Sequence, residues 1–309
     1  YLTVVQSLEL ASLPFYPASL DLLGFRPAAA VDHSRSLLQA VRDEQHNPFL
    51  DIFRRGIIRD LVALQPGLVG ISIPTEGQML AGMTLAHLIK QAKLPCHITV
   101  GGPHITMLRE QLPKAPAVFT LIDSAVAFEG EEPLLRLAEA LEGDRDLTHV
   151  SNLTWRDGSE IRVNPIGSPA HAAPRADLQP ATFNLQPGVP DLPLPDFDGL
   201  PLGRYLAPYP ILPLLTAHGC YHGDCAFCNV GYGRGGHYRP IRSAEVVGQM
   251  LALRRKYGVR HIFFADEAMT PRNMREMSAL LSAHAAEGEA FHWCGCMRFE
   301  KTLSQELLE

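Results

Sequence analysis

The sequence predicts an α/β protein with two regions in which short apolar strands alternate with helices. In the first region, residues 68–141, apolar runs of four to six residues alternate with segments of helical spacing. In the second, which begins at residue 211, the same alternation follows an apolar run and a loop that contains three cysteines. Strands that alternate with helices form parallel sheets covered by helices. A proline-dense stretch over 165–210 separates the two regions.

Composition and charge exclude several classes of protein. The chain has 309 residues, 46% hydrophobic and 19% charged, a balance that fits a globular protein with a buried core. The net charge is −6 and Lys and Arg form no block, so nucleic acid is not expected as a partner. No stretch reaches the roughly 18 apolar residues of a membrane span, so no membrane partner is expected. Six cysteines, three of them clustered, favour metal binding over disulfides and predict a reducing, cytoplasmic setting.

In the first region, strands are predicted over 68–73, 97–100, 118–122 and 125–128, with helices over 78–92, 107–112 and 133–141. The strands of such a sheet end at one edge, and ligands bind beyond their carboxyl ends. The chain there, at 72–75, 101–104 and 129–131, is rich in glycine and small polar residues, which let a large planar ligand approach the backbone. There is no G-x-G-x-x-G run, so a dinucleotide is not favoured.

Two segments connect the regions. Residues 152–163 predict a β-hairpin that turns at Asp157-Gly158. The following 165–210 stretch lacks periodicity and predicts a linker, and its Asp196-Phe197-Asp198 run suggests that it is held against a surface. We therefore divide the chain into a Rossmann-like domain over 1–150, a hairpin and linker over 151–210, and a second domain over 211–309.

The second region begins with a predicted strand over 211–215, and Cys220, Cys225 and Cys228 follow. Four residues separate the first two cysteines and two separate the last two. Three thiolates in so short a loop suit a soft metal or an iron–sulfur cluster.

Two other interpretations of the cysteines stay open. A structural zinc site normally has four protein ligands, so a histidine would have to complete it. The nearby candidates are His218, His222 and His237. The cysteines could also be buried and inert.

The remaining elements of the second region continue the alternation. A helix over 244–257 is predicted, with Ser243 as N-cap and Gly258 as its end, followed by a strand over 261–264 that ends at Asp266 and Glu267. A helix over 272–286 and a strand over 291–299 follow. The alternation of a strand puts four residues on one face of the last one: His292, Cys294, Cys296 and Arg298.

The cysteine loop resembles that of the radical SAM superfamily: a strand, Gly219-Cys220, two further cysteines, and the aromatic Phe227 before the last. That superfamily usually has three residues between its first two cysteines, and the extra residue here is easily accommodated in a loop with glycine. The resemblance implies a [4Fe-4S] cluster on the three cysteines and S-adenosylmethionine (SAM) on its open iron. It further implies that Asp266 and Glu267 contact the SAM amine, while a role in capping the next helix stays open for them. Phe227 is expected to pack on the cluster or SAM, and Arg298, if its face of the strand points inward, to bind the SAM carboxylate.

The run Gly101-Gly102-Pro103-His104-x-Thr106, followed by Glu129-Gly130-Glu131, resembles the cobalamin-binding domain fused in front of many radical SAM domains. The resemblance implies that six residues line the corrin: Ser72, Thr75, Gly101, Gly102, Glu129 and Gly130. No D-x-H-x-x-G motif occurs, so no histidine is expected on the lower face of the cobalt. Radical SAM domains are partial (β/α) barrels of about six units, and 211–309 has room for about three, so the barrel is expected to be truncated.

Both resemblances together imply a cobalamin-dependent radical SAM enzyme. The implied reaction is methyl transfer to an unactivated carbon through a 5′-deoxyadenosyl radical. The substrate would be a small molecule or a peptide, and the electron donor a flavodoxin or ferredoxin. A radical cyclisation or rearrangement with the same cofactors, or a non-catalytic corrinoid- or zinc-binding module, stays open. No catalytic residue is assigned.

Overall fold

The computed structural model describes residues 2–21, 24–28, 30–166, 194–205, 207–223, 225, 228, 238–286, 288–301 and 303–305. The chain divides into two compact units, Tyr1–Ala176 and Asp177–Glu309. Both contain parallel strands connected through helices, so the predicted α/β class is confirmed. Among the described residues, no helix is long and apolar enough to cross a membrane.

The first unit begins with short elements and continues with a five-stranded sheet. The early elements are α1 (Leu2–Ser12), β1 (Ser19–Leu20), β2 (Phe25–Arg26), α2 (Ser34–Ala40), α3 (Phe49–Arg55) and α4 (Ile57–Leu64). The sheet and its helices are β3 (Leu68–Ser72), α5 (Met79–Gln91), β4 (His97–Gly101), α6 (Pro103–Met107), β5 (Ser124–Val126), α7 (Glu131–Glu142), β6 (Leu153–Asp157) and β7 (Glu160–Val163).

The sheet is mixed, with strand order β3-β4-β5-β6-β7. Its first three strands are parallel, with Ser72 opposite Gly101 and Val100 opposite Ala125. Strands β6 and β7 form the predicted hairpin, and β6 pairs antiparallel with β5. The hairpin is therefore part of the first sheet, whereas the sequence analysis grouped it with the linker. Gly158 takes a positive φ of 60° in its two-residue turn, a conformation that glycine adopts at little cost.

Two predictions about the first region are wrong. The strand expected over 118–122 is a 3₁₀ helix, Pro116–Thr120, and a short buried apolar run cannot be told from a buried helical turn by periodicity alone. The helix expected over 107–112 lies earlier, at α6, because Pro103 occupies the first helical position, where its missing N–H costs nothing.

A continuous apolar core fills the space between the first sheet and its helices. Ile71, Ile98 and Val100 of the strands pack with Met83 and Ile89 of α5. This packing fixes β3 and β4 side by side, and with them the loops that leave their carboxyl ends.

The second unit contains a three-stranded parallel sheet. Its elements are β8 (Ile211–Leu214), β9 (Ala217–His218), β10 (Arg239–Pro240), α8 (Ser243–Tyr257), β11 (His261–Met269), α9 (Pro271–Ala286) and β12 (His292–Met297). The order is β12-β11-β8, and each connection between neighbours passes through a helix. Leu212, Leu214, Ile262 and Phe264 face the core formed with the helices, so the opposite side of this sheet is the more exposed one.

Helix α8 ends as predicted but begins differently. Gly258 takes a left-handed conformation with φ 69°, and its N–H closes the helix on Arg254. The N-cap is Arg242 rather than Ser243. The hydroxyl of Ser243 donates instead to Glu276 of α9, at 2.9 Å.

The last part of the linker is held against α8, as the sequence suggested. Lys256 contacts Asp196 and Asp198, each at 2.8 Å, and Tyr257 donates to Asp196. Tyr257 also accepts the N–H of Phe197. The ammonium of Lys256 holds the pKa of Asp196 below its ordinary value.

Candidate functional site

Two candidate sites exist, one in each unit. In the first unit, the segments at 72–75, 101–104 and 129–131 follow three adjacent parallel strands and so leave the same edge of the sheet. Ser72 and Thr75 are exposed there, and Gly101, Gly102, Glu129 and Gly130 are partly exposed. All six residues predicted to line a corrin therefore lie at one edge and are accessible to a ligand.

The close packing of backbone at this edge explains Gly102. It has φ 103° and ψ 171°, a region that is essentially restricted to glycine. A Cβ at Gly102 would lie 2.9 Å from the carbonyl oxygen of Ile73. The N–H of Ile73 in turn donates to Gly101, at 2.8 Å. Gly102 is thus required by the fold itself, whether or not a ligand binds.

Gly130 has no such structural requirement. Its φ of −100° is open to any residue, and a Cβ there would meet nothing within 4 Å. It is the N-cap of α7, whose first turn carries Glu131 and Glu132. An absent side chain at this edge leaves the backbone accessible to a ligand, which the fold alone does not require.

In the second unit, a loop with the three predicted cluster ligands leaves the carboxyl end of β8. Its base is closed by the β9–β10 ladder, in which His218 lies opposite Arg239, and by a hydrogen bond from Ile241 to Thr216. Cys220 and Cys225 are partly buried and Cys228 is exposed. The N–H of Cys228 donates to the carbonyl of Cys225 at 3.0 Å, as in a tight turn.

Asp266 has a structural partner that the sequence did not reveal. It lies within β11, is 4% exposed, and accepts both the N–H of Thr216, at 2.9 and 3.0 Å, and the Thr216 hydroxyl, at 2.6 Å. Thr216 precedes Cys220 by four residues. Glu267 points to the opposite, exposed side of the sheet. The predicted acidic pair is therefore divided between two faces.

Arg298 contacts the cysteine loop through an aromatic ring. Its guanidinium carbon lies 5.7 Å from the ring centroid of Tyr221, a cation–π geometry. The hydroxyl of Tyr221 donates to Glu300 at 3.0 Å. Burial and this carboxylate raise the pKa of Tyr221. Arg298 and Glu300, just after β12, thus hold the side chain of Tyr221, the residue next to Cys220.

Tyr238 and His218 complete the surroundings of Cys220. Tyr238 lies edge-on to Tyr221, with ring centroids 6.0 Å apart, and burial raises the pKa of Tyr238. Among the residues that the structure describes, the buried Nε2 of His218 has no hydrogen-bond partner. The sequence offered His218 as one of three histidines near the cysteines that could complete a zinc site, and it gave no functional signal for Tyr238 or Glu300.

The other predicted residues lie as follows. Cys294 and Cys296 are exposed on the same face of β12, as strand alternation predicts, while Trp293 and Met297 pack toward the core. Phe227, predicted to contact SAM, lies outside the described residues.

The donor chemistry of the loop fits an iron–sulfur cluster. Three cysteine thiols within nine residues match the preference of such clusters for thiolate ligands. In the described part of the chain, no group of three His, Cys, Asp or Glu side chains is close enough to hold a metal ion. The fit therefore rests on the donor set and its spacing.

Comparison with solved structures defines the fold. The cobalamin-dependent S-adenosylmethionine radical enzyme OxsB aligns over 89% of this chain and 38% of its own, with TM-score 0.56 and 20% identity. The radical S-adenosylmethionine methyltransferase TsrM from Kitasatospora setae, bound to tryptophan and a SAM analogue, aligns over 84% of this chain and 50% of its own, with TM-score 0.56 and 17% identity. A TsrM structure with cobalamin and a [4Fe-4S] cluster gives TM-score 0.54 and 20% identity, over 83% of this chain and 49% of its own. The chain has the fold of cobalamin-binding radical SAM enzymes, which confirms the resemblance.

Sequence comparison identifies two methyltransferases as relatives. An uncharacterized methyltransferase of Pyrococcus horikoshii is 26% identical over 273 residues, covering 85% of this chain and 54% of the relative. Cytidylyl-2-hydroxyethylphosphonate methyltransferase of Streptomyces wedmorensis is 25% identical over 232 residues, covering 69% and 42%. The chain thus spans about half the length of these relatives. No family model matches the sequence.

Proposed function

We propose that the protein is a cobalamin-dependent radical SAM enzyme that transfers a methyl group to an unactivated carbon. The observation that carries the proposal is a loop of three cysteines that directly follows the first strand of a parallel β/α sheet. The glycine-rich edge of the first unit supports the cobalamin part, and the names of both relatives support methyl transfer over cyclisation or rearrangement. The substrate would be a small molecule or a peptide, and the electron donor a flavodoxin or ferredoxin.

The cysteines would hold three irons of a [4Fe-4S] cluster as thiolates, which leaves one iron open to the amine and carboxylate of SAM. Together the bound cofactors supply a 5′-deoxyadenosyl radical and a transferable methyl group. The residues of this chain would hold the cysteine loop in place and orient SAM. Tyr221, held by Arg298 and Glu300, would position the loop beside Cys220.

The two acidic residues of β11 would have different roles. Asp266 would hold Thr216, and with it the start of the cysteine loop, because both of its oxygens are already used there. Glu267, exposed past the last residue that β11 pairs with β8, would accept the ammonium of SAM. Arg298 would pair with the SAM carboxylate through N–H groups that its ring contact leaves accessible.

In the first unit, the corrin would lie across the carboxyl edge of the sheet. Ser72, Thr75 and Glu129 would supply polar contacts, and Gly130 would let the corrin reach the backbone. Gly101 and Gly102 would keep the loops packed closely enough to form a flat edge.

The test is anaerobic purification of the chain, followed by measurement of iron, sulfide, zinc and cobalamin on the same sample. We expect about four irons and one cobalamin per chain, as a thiolate-held four-iron cluster requires. Changing Cys220, Cys225 and Cys228 together to Ala should abolish iron, sulfide and SAM cleavage and leave cobalamin in place. As the matched control, changing the exposed Cys294 and Cys296 to Ala should leave the iron content unchanged. Retained SAM cleavage in the triple variant would refute the assignment.

A zinc site is the second candidate, and one observation favours it. Within the described part of the chain, nothing pairs with the buried Nε2 of His218, which lies two residues from Cys220. It could therefore serve as the fourth ligand beside the three thiolates. His218→Ala separates the two candidates. It should lower the metal content if zinc is bound by three cysteines and this histidine, and leave the iron content unchanged if the cluster uses cysteines alone.

A further inference from the structure

One side chain connects the segment that follows β4 with the segment that follows β5, at the carboxyl edge of the first sheet. Thr106 lies on α6 and is 1% exposed. Its hydroxyl donates to the carbonyl oxygen of Gly102, at 3.1 Å, and accepts the N–H of Phe128, at 2.8 Å. Gly102 follows β4 and Phe128 follows β5. A single hydroxyl therefore sets the distance between the segments that leave two neighbouring strands.

Phe128 is held in an unfavourable backbone conformation. Its φ is 65°, where a bulky aromatic residue is a genuine outlier that persists only when its surroundings enforce it. The guanidinium of Arg109 lies 5.3 Å from its ring centroid, and Arg109 also donates to the carbonyl of Thr106. These two contacts of Phe128 come from α6 and the turn that follows it. The next residues are Glu129 and Gly130, which are predicted to line the corrin.

Loss of the Thr106 hydroxyl should affect its two hydrogen-bond partners differently. The carbonyl of Gly102 also accepts the N–H of Thr106, at 3.0 Å, so it stays paired if the hydroxyl is removed. The N–H of Phe128 loses the acceptor that holds it in place. A strained residue that loses a restraint relaxes toward an ordinary φ, which rotates the chain that follows it. Removal of the hydroxyl should therefore alter the loop at 129–130 more than the loop at 101–102.

We propose that Thr106 is a positioning residue of the cobalamin site, because its hydroxyl holds the strained Phe128 turn and thereby fixes the corrin-facing loop. This inference rests on the proposed function. It goes beyond that function because it assigns to a buried residue, which touches no ligand itself, control over the affinity for a corrin.

The test compares cobalamin binding to the 309-residue chain and its variants, with hydroxocobalamin as the probe and its absorbance spectrum as the signal. Thr106→Val keeps the shape of the side chain and removes the hydroxyl, and Thr106→Ser restores the hydroxyl. The matched control is Thr84→Val: Thr84 is equally buried in the same unit and its hydroxyl accepts a hydrogen bond from Asn47 at 2.8 Å. Each melting temperature is recorded alongside.

We expect Thr106→Val to bind hydroxocobalamin about tenfold more weakly, the change that corresponds to one hydrogen bond of ordinary strength. Thr106→Ser should bind like wild type. Thr84→Val should lower the melting temperature and leave the affinity unchanged. Unchanged affinity in Thr106→Val would overturn the inference, and so would a Thr106→Ser variant as weak as Thr106→Val, since packing would then be the cause.

A second variant covers the case in which Thr106→Val does not fold. Arg109→Gln removes the cation over the Phe128 ring from a partly exposed position, and it should also weaken hydroxocobalamin binding. Wild-type affinity in Arg109→Gln would then overturn the inference. If the wild-type chain binds no hydroxocobalamin, the cobalamin part of the proposed function is refuted together with the inference. Binding by wild type with equal affinity in the variants refutes the inference alone.

Discussion

At the carboxyl edge of the first sheet, Gly102 is required by the fold and Gly130 is not, and changing each to alanine tests this difference. Gly102 is confined by its own backbone conformation and by the main chain of Ile73, whereas Gly130 has an ordinary φ and open space around its Cα. Gly102→Ala should therefore damage the fold. Gly130→Ala should affect only a ligand that approaches the backbone.

The magnitudes follow from the geometry. A non-glycine residue at the φ and ψ of Gly102 costs about 1–3 kcal/mol. The new Cβ would lie 2.9 Å from the carbonyl oxygen of Ile73, and forcing an extra carbon into packed surroundings costs a further 1–3 kcal/mol or so. Together these terms lower the free energy of unfolding of the first unit by about 2–6 kcal/mol, a large share of the roughly 5–15 kcal/mol that stabilises an ordinary domain. Gly130→Ala should change it by less than about 1 kcal/mol, because the entropy gained by losing a glycine and the poorer N-cap that alanine makes act in opposite directions.

Two assays separate the effects. Urea unfolding followed by circular dichroism measures the free energy of unfolding, and titration with hydroxocobalamin measures affinity. We expect Gly102→Ala to shift the unfolding midpoint strongly, and Gly130→Ala to unfold like wild type and bind the corrin more weakly. Wild-type unfolding of Gly102→Ala would refute the packing argument. Wild-type binding by Gly130→Ala would remove Gly130 from the corrin site.

Two further predictions concern buried polar groups. Asp266→Ala should lower the free energy of unfolding of the second unit by about 3–6 kcal/mol, because the two hydrogen bonds that Thr216 donates to this carboxylate are worth roughly 1.5–3 kcal/mol each. The exposed Glu267→Ala is the control, and equal urea midpoints for both variants would contradict the prediction. Burial lowers the pKa of His97 below its ordinary 6.5. Just below pH 6.5 the unfolded chain therefore binds a proton at this histidine more readily than the folded chain does. The free energy of unfolding should fall as the pH decreases from 6.5 toward 5. His97→Gln should reduce this slope in unfolding measured across that pH range, and an unchanged slope would show that His97 does not contribute.

The elements with the clearest sequence boundaries were predicted within a residue or two. The strands at 68–73 and 97–100 are apolar runs bounded by glycine and polar residues, and they correspond to β3 and β4. The helix that ends at Gly258 was predicted because glycine alone takes the left-handed conformation there at little cost. In contrast, the apolar run 118–122 carried no information that could distinguish a strand from a buried 3₁₀ helix.

For the candidate sites, the sequence predicted the residue types better than their partners. Alternation along β11 places Asp266 and Glu267 on opposite faces, but it does not tell which face holds the core. The partner of Asp266 is Thr216, 50 residues away in sequence, so only the folded sheet reveals that this carboxylate is already engaged. The contact of Arg298 with Tyr221 likewise joins residues 77 positions apart in sequence, so it too is visible only in the folded chain.

The paired base of the cysteine loop has a consequence for the entropy of metal binding. Pairing of His218 with Arg239 closes a loop of 20 residues, 219–238, through main-chain groups on either side of the three cysteines. Closing a loop of that length in an unfolded chain costs roughly 3 kcal/mol of chain entropy. Because the cysteines take no part in this pairing, the cost belongs to folding of the sheet and not to metal binding. In this respect the loop differs from a zinc finger, which folds only with its metal. If the chain binds an iron–sulfur cluster as proposed, removal of the iron should therefore leave the sheet of the second unit folded, and reconstitution would start from a chain whose three thiols lie in one short loop.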